Sequence, residues 1–277
     1  MSKKLSLLFS ASLFLFSCSL VKERPPAPGV PPAENQPTNE ARAREKAAEF
    51  FYKLGLAAMA EGNYAKAIAN FKRATEVNPS DPVLWKSLGD AYRSAKFYQK
   101  AEEALLKAVE LKPDYGEALF SLGLLYEEWG KLDEALKWYQ KAAALDTFDE
   151  RYAAYYRLAQ VYKKLGDLKA YEKNLKRAVY LYPGYGAAVL ELARYYASGG
   201  YPLLAENYYR LYLTYFPNDW RVKLEFADVL IAQGKFQEAK RLLKEVVENA
   251  QDPELLKEAY RKVNEVLVAE AQKKLNR

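Results

Sequence analysis

Beyond residue 40, apolar positions recur at helical spacing in short blocks separated by polar breaks. The blocks themselves repeat. Laying residues 51–79 over 85–113 places Gly55 on Gly89, Ala67 on Ala101, Ala74 on Ala108 and Pro79 on Pro113, each 34 positions on. A third copy brings Gly123, Tyr126, Gly130, Ala135, Tyr139 and Ala142 into register. Such a period predicts pairs of amphipathic helices that cannot bury their apolar faces alone and must stack on their neighbours. Small residues at Gly89 and Ala101 let two helices approach closely, and Trp85, Tyr92 and Leu105 fill the space beside them. Pro79, Pro113, Pro183 and Pro217 end a second helix or open the next unit.

The order aromatic, Leu-Gly, Tyr, Ala, Phe, Ala, Pro resembles the tetratricopeptide repeat. Six copies start near residues 48, 82, 116, 152, 186 and 220, spanning 48–81, 82–115, 116–149, 152–185, 186–219 and 220–253. A closing segment, 254–277, follows. The resemblance implies an all-α, right-handed superhelical solenoid of about six helix pairs plus a C-terminal capping helix. It also implies a concave groove that takes proteins or peptides. Asp252 is the expected N-cap of the closing helix, with Pro253 in its first turn. Leu256, Tyr260, Val263 and Leu267 are expected to face the last repeat.

In the family the fifth position of each first helix faces the groove. That position holds Tyr52, Lys86, Phe120, Tyr156, Leu190 and Leu224. Arg93, Lys163 and Arg194 fall at other groove positions, with Asp90, Glu127, Glu128 and Asp228 between them. The expectation is a groove with apolar anchors and a mixed polar rim; the alternative is that these side chains pack sideways between adjacent first helices. The pattern also breaks. The fourth copy starts two residues late, Thr147 replaces a proline, and Tyr171 and Tyr212 stand where small residues belong. Tyr162 and Tyr196 fit the repeat, but Tyr156, Tyr182, Tyr185, Tyr195, Tyr201, Tyr208 and Tyr215 do not. They read either as a partner surface or as bulk filling a looser inter-repeat angle.

The first forty residues differ from the rest. Lys3 and Lys4 precede an apolar run from Leu5 to Phe16, too short to span a bilayer and suited to an export signal over 1–17. "LFSC" at 15–18 resembles the bacterial lipobox, which implies cleavage before Cys18 and acylation of that residue. Several acyl chains would anchor the chain stably. Ser19, by the family's sorting rule, implies an outer-membrane lipoprotein facing the periplasm of a diderm bacterium. Residues 18–40 then form a Pro-rich tether, with Pro25, Pro26, Pro28, Pro31, Pro32 and Pro37 favouring an extended form that reaches roughly 60 Å. The folded body is expected over 41–277.

Composition narrows the chemistry. Among 277 residues there is no histidine, and Cys18 is the only cysteine, so neither a His-dependent triad nor a thiolate metal site can form. No cofactor, metal site or catalytic residue is expected. The net charge of +6 is interleaved rather than gathered into a stripe, which argues against nucleic acid. The leading reading is a non-catalytic, membrane-tethered scaffold. Its layout resembles the pilotin-type assembly lipoproteins of type IV pili, which implies a part in forming the secretin multimer. That family's Asn-Asn-Tyr-Gly stretch is not found; the comparable places read "FSLGLLYEEW" and "LELARYYASG". β-Barrel assembly and the regulation of peptidoglycan synthesis are alternatives with the same architecture. A glycan hydrolase is the alternative of another class. It would need two carboxylates facing one pocket, whereas Glu127 and Glu128, or Asp149 and Glu150, are chain neighbours expected to splay apart.

Overall fold

A computed structural model describes residues 38–275. The expected signal segment, Cys18 and the tether up to residue 37 lie outside the described residues. Two compact units are distinguished, 1–42 and 43–277. Of the first, only residues 38–42 are described. There the Thr38 hydroxyl accepts from the Ala41 N–H and caps the opening of a helix.

The second unit is built from helix pairs. The first helices are α1 (Asn39–Ala60), α3 (Pro82–Ser94), α5 (Gly116–Glu128), α7 (Arg151–Lys164), α9 (Gly186–Ser198) and α11 (Trp220–Ala232). Their partners are α2 (Tyr64–Val77), α4 (Tyr98–Leu111), α6 (Leu132–Ala144), α8 (Leu168–Leu181), α10 (Pro202–Tyr215) and α12 (Phe236–Asn249). A long helix, α13 (Pro253–Leu275), closes the stack. Among the described residues there are thirteen helices and no strand, which is the predicted solenoid of six pairs and a cap.

The turn inside each pair is the same device six times. Gly62, Gly130, Gly166, Gly200 and Gly234 take φ of 70 to 81°, and Lys96 takes φ 61° at the equivalent place. In each turn the next residue's N–H reaches five residues back: Phe97 to the Tyr92 carbonyl at 2.9 Å, Lys131 to Tyr126 at 2.8 Å. This is the Schellman ending, which needs a left-handed residue and therefore selects glycine. Lys96 is the one departure among these six positions.

Close approach within a pair comes from small residues on the first helix. A Cβ on Gly89 would lie 2.5 Å from Leu105 Cγ, and one on Gly55 or Gly123 would overlap the buried rings of Phe71 or Tyr139. In the next three repeats alanines take over: Ala159, Ala193 and Ala227 are buried in register with Leu175, Tyr209 and Leu243. Each such large side chain, once buried, contributes about 1.5–3 kcal/mol.

The late fourth repeat is visible as a longer connection. Four residues link α2 to α3, α4 to α5, α8 to α9 and α10 to α11, but six, 145–150, link α6 to α7. Phe148 from that longer loop is buried against Gly116. The cap corrects one expectation. Asp252 does accept from the Glu254 N–H at 2.9 Å. However, α13 buries Ala259, Lys262 and Val266 with Leu255, Leu256 and Val263 beside them, while Tyr260 and Leu267 are exposed. The buried stripe follows the 3.6-residue period from Leu255 and Ala259, which rotates Tyr260 and Leu267 outward.

Candidate functional site

The face built by the first helices carries the expected groove residues, and its apolar members lie closer to the core than an open groove requires. Tyr52 is half-buried with its ring 5.8 Å from Phe71. Phe120 is half-buried between Tyr139 at 5.5 Å and Phe148 at 6.0 Å. Tyr156 packs edge-on against Tyr185 at 5.3 Å, and Leu190 packs half-buried on the same cluster. Leu224 is only 1% exposed and offers a partner no surface, so it leaves the groove set. The helix α13 beyond the last pair covers this end of the row, as its packing against α11 shows. Lys86 pairs with Asp90 at 3.0 Å on its own helix.

The charged positions form a ladder from repeat to repeat. Arg93 of α3 bonds Glu128 of α5, and Lys164 of α7 bonds Glu127 of α5 at 2.6 Å. The two adjacent glutamates thus serve opposite neighbours. Lys163 meets Glu191 of α9 at 3.2 Å, and Arg194 makes a two-point pair with Glu225 of α11 at 2.8 and 2.7 Å. Lys262 of α13 bonds Asp228 of α11. Glu127 also accepts from the Tyr139 hydroxyl at 2.8 Å; burial and the Glu127 charge together push that phenol far above its ordinary range. The hydrogen bond to Glu225 likewise raises Arg194. In repeat 2 the bonding is incomplete: shielded Asp90 Oδ1 and Arg93 Nε have no hydrogen-bond partner.

Lys163 and Arg194 come together in one cleft of about 670 Å³, with Glu191, Tyr171, Tyr195 and Tyr201 on its walls. Lys163 Nζ lies 5.2 Å from the Tyr171 ring centroid. Burial, aided by Glu191, raises the Tyr171 phenol. Arg93 and Lys86 sit apart, on α3. The off-pattern tyrosines divide between the two readings. Tyr156, Tyr185, Tyr195 and Tyr208 are partly buried against the core, whereas Tyr182, Tyr201 and Tyr215 are exposed. Tyr180, which the repeat pattern did not single out, is 74% exposed. Only its place outside the repeat's structural tyrosine register could have flagged it.

Among the described residues no helix is long and apolar enough to cross a membrane, and no group of acidic residues could hold a metal ion. Models of the tetratricopeptide repeat match residues 52–115 and 86–150, 152–185 and 202–263, well over half of the chain. The chain belongs to the tetratricopeptide-repeat family. The photosystem I assembly protein Ycf3 of Synechococcus sp. (strain CC9605) is 34% identical over 111 residues, which are 36% of this chain and 64% of that protein. The chain therefore spans somewhat less than two thirds of that relative. The superkiller complex protein 3 of Mus musculus is 34% identical over 86 residues, 31% of this chain and 6% of that protein. Among solved structures, Pseudomonas aeruginosa pilF superposes with a TM-score of 0.62 at 18% identity, covering 79% of this chain and 99% of the other. PilW, described as a widely conserved type IV pilus biogenesis factor, superposes at 0.56 and 24% identity, covering 76% and 96%. YrrB, described as having an unusual peptide-binding site, reaches 0.51 at 21% identity, covering 69% and 97%. At these identities the likeness is one of fold. Its family and fold place the chain among protein-interaction scaffolds.

Proposed function

We propose that this tetratricopeptide solenoid is a non-catalytic adaptor, tethered through acylated Cys18 to the periplasmic side of an outer membrane, that holds partner segments during pilus or secretin assembly. The observation that carries the reading is the cleft formed by the end of α7, the start of α8 and the last turns of α9. There Lys163 and Arg194 flank the tyrosines Tyr171, Tyr195 and Tyr201, giving aromatic area with a charged rim. Tyr52, Phe120, Tyr156 and Leu190 form a half-buried apolar row on the first helices α1, α5, α7 and α9, with Lys86 and Arg93 on α3. The fold shared with pilF and PilW supports the pathway, and the lipobox-like "LFSC" supports the anchor.

The test uses the native bacterium with the gene deleted and restored. Restoring the full chain should return secretin to heat-resistant multimers in the outer membrane, and labelled palmitate should mark the protein. Cys18→Ala should lose the label and the membrane fraction. Lys163→Glu with Arg194→Glu should keep the label and lose the multimers. Secretin multimers that never depend on this chain would remove the pathway, and an unlabelled Cys18 would remove the anchor.

A further inference from the structure

A second cleft, of about 1000 Å³, opens between the second helices α6 and α8, floored by α7. Its floor is Tyr155, Leu158 and Tyr162.

The repeats on either side show what this cleft lacks. In repeat 3 the hydroxyl of the structural tyrosine, Tyr126, donates to Glu102, the fifth residue of α4. In repeat 5 the equivalent Tyr196 donates to Glu172, the fifth residue of α8, at 2.5 Å. The fifth residue of α6 is Leu136. Tyr162 therefore has no carboxylate from the preceding repeat. Its oxygen accepts from Gln140 Nε2 at 3.2 Å, and its own O–H has no acceptor among the described residues. The surrounding charge is unbalanced in the same sense. Lys169, Lys173 and Arg177 line the cleft and pair with no carboxylate among the described residues. Arg177 stacks instead near Tyr155 and the exposed Tyr180, at 5.8 and 5.2 Å. The one acid on the wall, Glu172, is engaged by Lys176 at 2.6 Å and by Tyr196.

From a free hydroxyl donor, three unneutralised cations and an aromatic-aliphatic floor, we infer that this cleft binds an acidic peptide segment of a partner protein. One of the partner's Asp or Glu carboxylates takes the place that Glu102 and Glu172 occupy in the neighbouring repeats, accepting from the Tyr162 hydroxyl. Further acidic side chains meet Lys169, Lys173 and Arg177, and an apolar residue rests on Tyr155 and Leu158. An acidic peptide is favoured over nucleic acid because the cations cluster around one aliphatic pocket and do not continue as a stripe along the solenoid. This inference does not rest on the reading given for the Lys163–Arg194 cleft, whose lining residues are different ones.

The test is selection of a random peptide library displayed on phage against the full chain, followed by fluorescence anisotropy with the selected peptides. The expected peptides carry two or more Asp or Glu around an apolar residue. Leu136→Glu introduces the carboxylate that Glu102 and Glu172 supply beside Tyr126 and Tyr196, and should weaken their binding about tenfold. Lys169→Glu with Lys173→Glu and Arg177→Glu, all exposed positions, should weaken it at least as much. Lys72→Glu with Lys244→Glu, exposed cations of α2 and α12 that line neither cleft, should leave it unchanged, with circular dichroism verifying that every variant is folded. Selected peptides without acidic residues, or peptides held equally by both cleft variants, would overturn the inference. So would an oligo-dT of equal charge binding the cleft more tightly than any selected peptide.

Discussion

Lys96→Gly should make the protein more stable, although it deletes a side chain. Lys96 holds φ 61° where the five equivalent turns use glycine. A left-handed backbone costs an L-residue roughly 1–2 kcal/mol. Glycine returns part of that, about 0.5–1 kcal/mol, through its greater freedom in the unfolded chain. The Lys96 side chain is exposed and makes no ion pair among the described residues, so nothing else is lost. The Schellman bonds, Lys96 N–H to Arg93 at 2.8 Å and Phe97 N–H to Tyr92 at 2.9 Å, remain available. The net gain is therefore about 0.5–1 kcal/mol, a rise of about 0.3 M in the urea midpoint when m is near 2–3 kcal/mol/M. Gly130→Lys, the mirror experiment, should lose a similar amount. Urea unfolding followed by circular dichroism measures both, and amide exchange across the α3–α4 turn localises the effect. An unchanged or lowered midpoint for Lys96→Gly, or no cost for Gly130→Lys, would refute the reasoning.

Three further outcomes are expected. Glu127→Ala should cost about 1–3 kcal/mol in urea unfolding, because it leaves the buried Tyr139 hydroxyl without its acceptor. Glu206 is pushed up by burial but pulled further down by Lys235 and Arg210, so its folded value lies below its ordinary 4.5. Its contribution is then whole above pH 4.5 and fades as pH falls through the folded value, so the stability difference from Glu206→Gln should shrink below pH 4.5. Burial, with help from neighbouring acids, raises Tyr115, Tyr196 and Tyr212 to about 12. A phenol raised on folding stabilises the fold below pH 10 and ceases to do so as pH passes the folded value. An ultraviolet titration should show a late phenolate phase near pH 12, and a single phase at pH 10 in the folded protein would contradict it.

The fold was legible because its determinants are local and repeated. Gly55, Gly89 and Gly123 mark the close approaches, the turn glycines mark the left-handed endings, and Pro79, Pro113, Pro183 and Pro217 mark the joints. The candidate site was legible as a set of positions but not as surfaces. The fifth positions all fall on the first helices, yet what covers each depends on its neighbours. Leu224 is sealed beneath the cap end, while Tyr156 leans on Tyr185. The cap has no following repeat to set its phase, and the stripe read through Tyr260 and Leu267 is replaced by one through Ala259 and Val266. The ion ladder from Arg93 to Lys262 links residues of adjacent repeats about one period apart, a pairing that helical spacing within one segment cannot reveal.

The adaptor reading is tested most directly by placing a photo-crosslinking phenylalanine at Tyr201, 58% exposed on the wall of the Lys163–Arg194 cleft, and irradiating living cells. A discrete adduct with one envelope-assembly protein, abolished by Lys163→Glu with Arg194→Glu in a folded chain, is the predicted result. No adduct, or an adduct indifferent to those two substitutions, would contradict it.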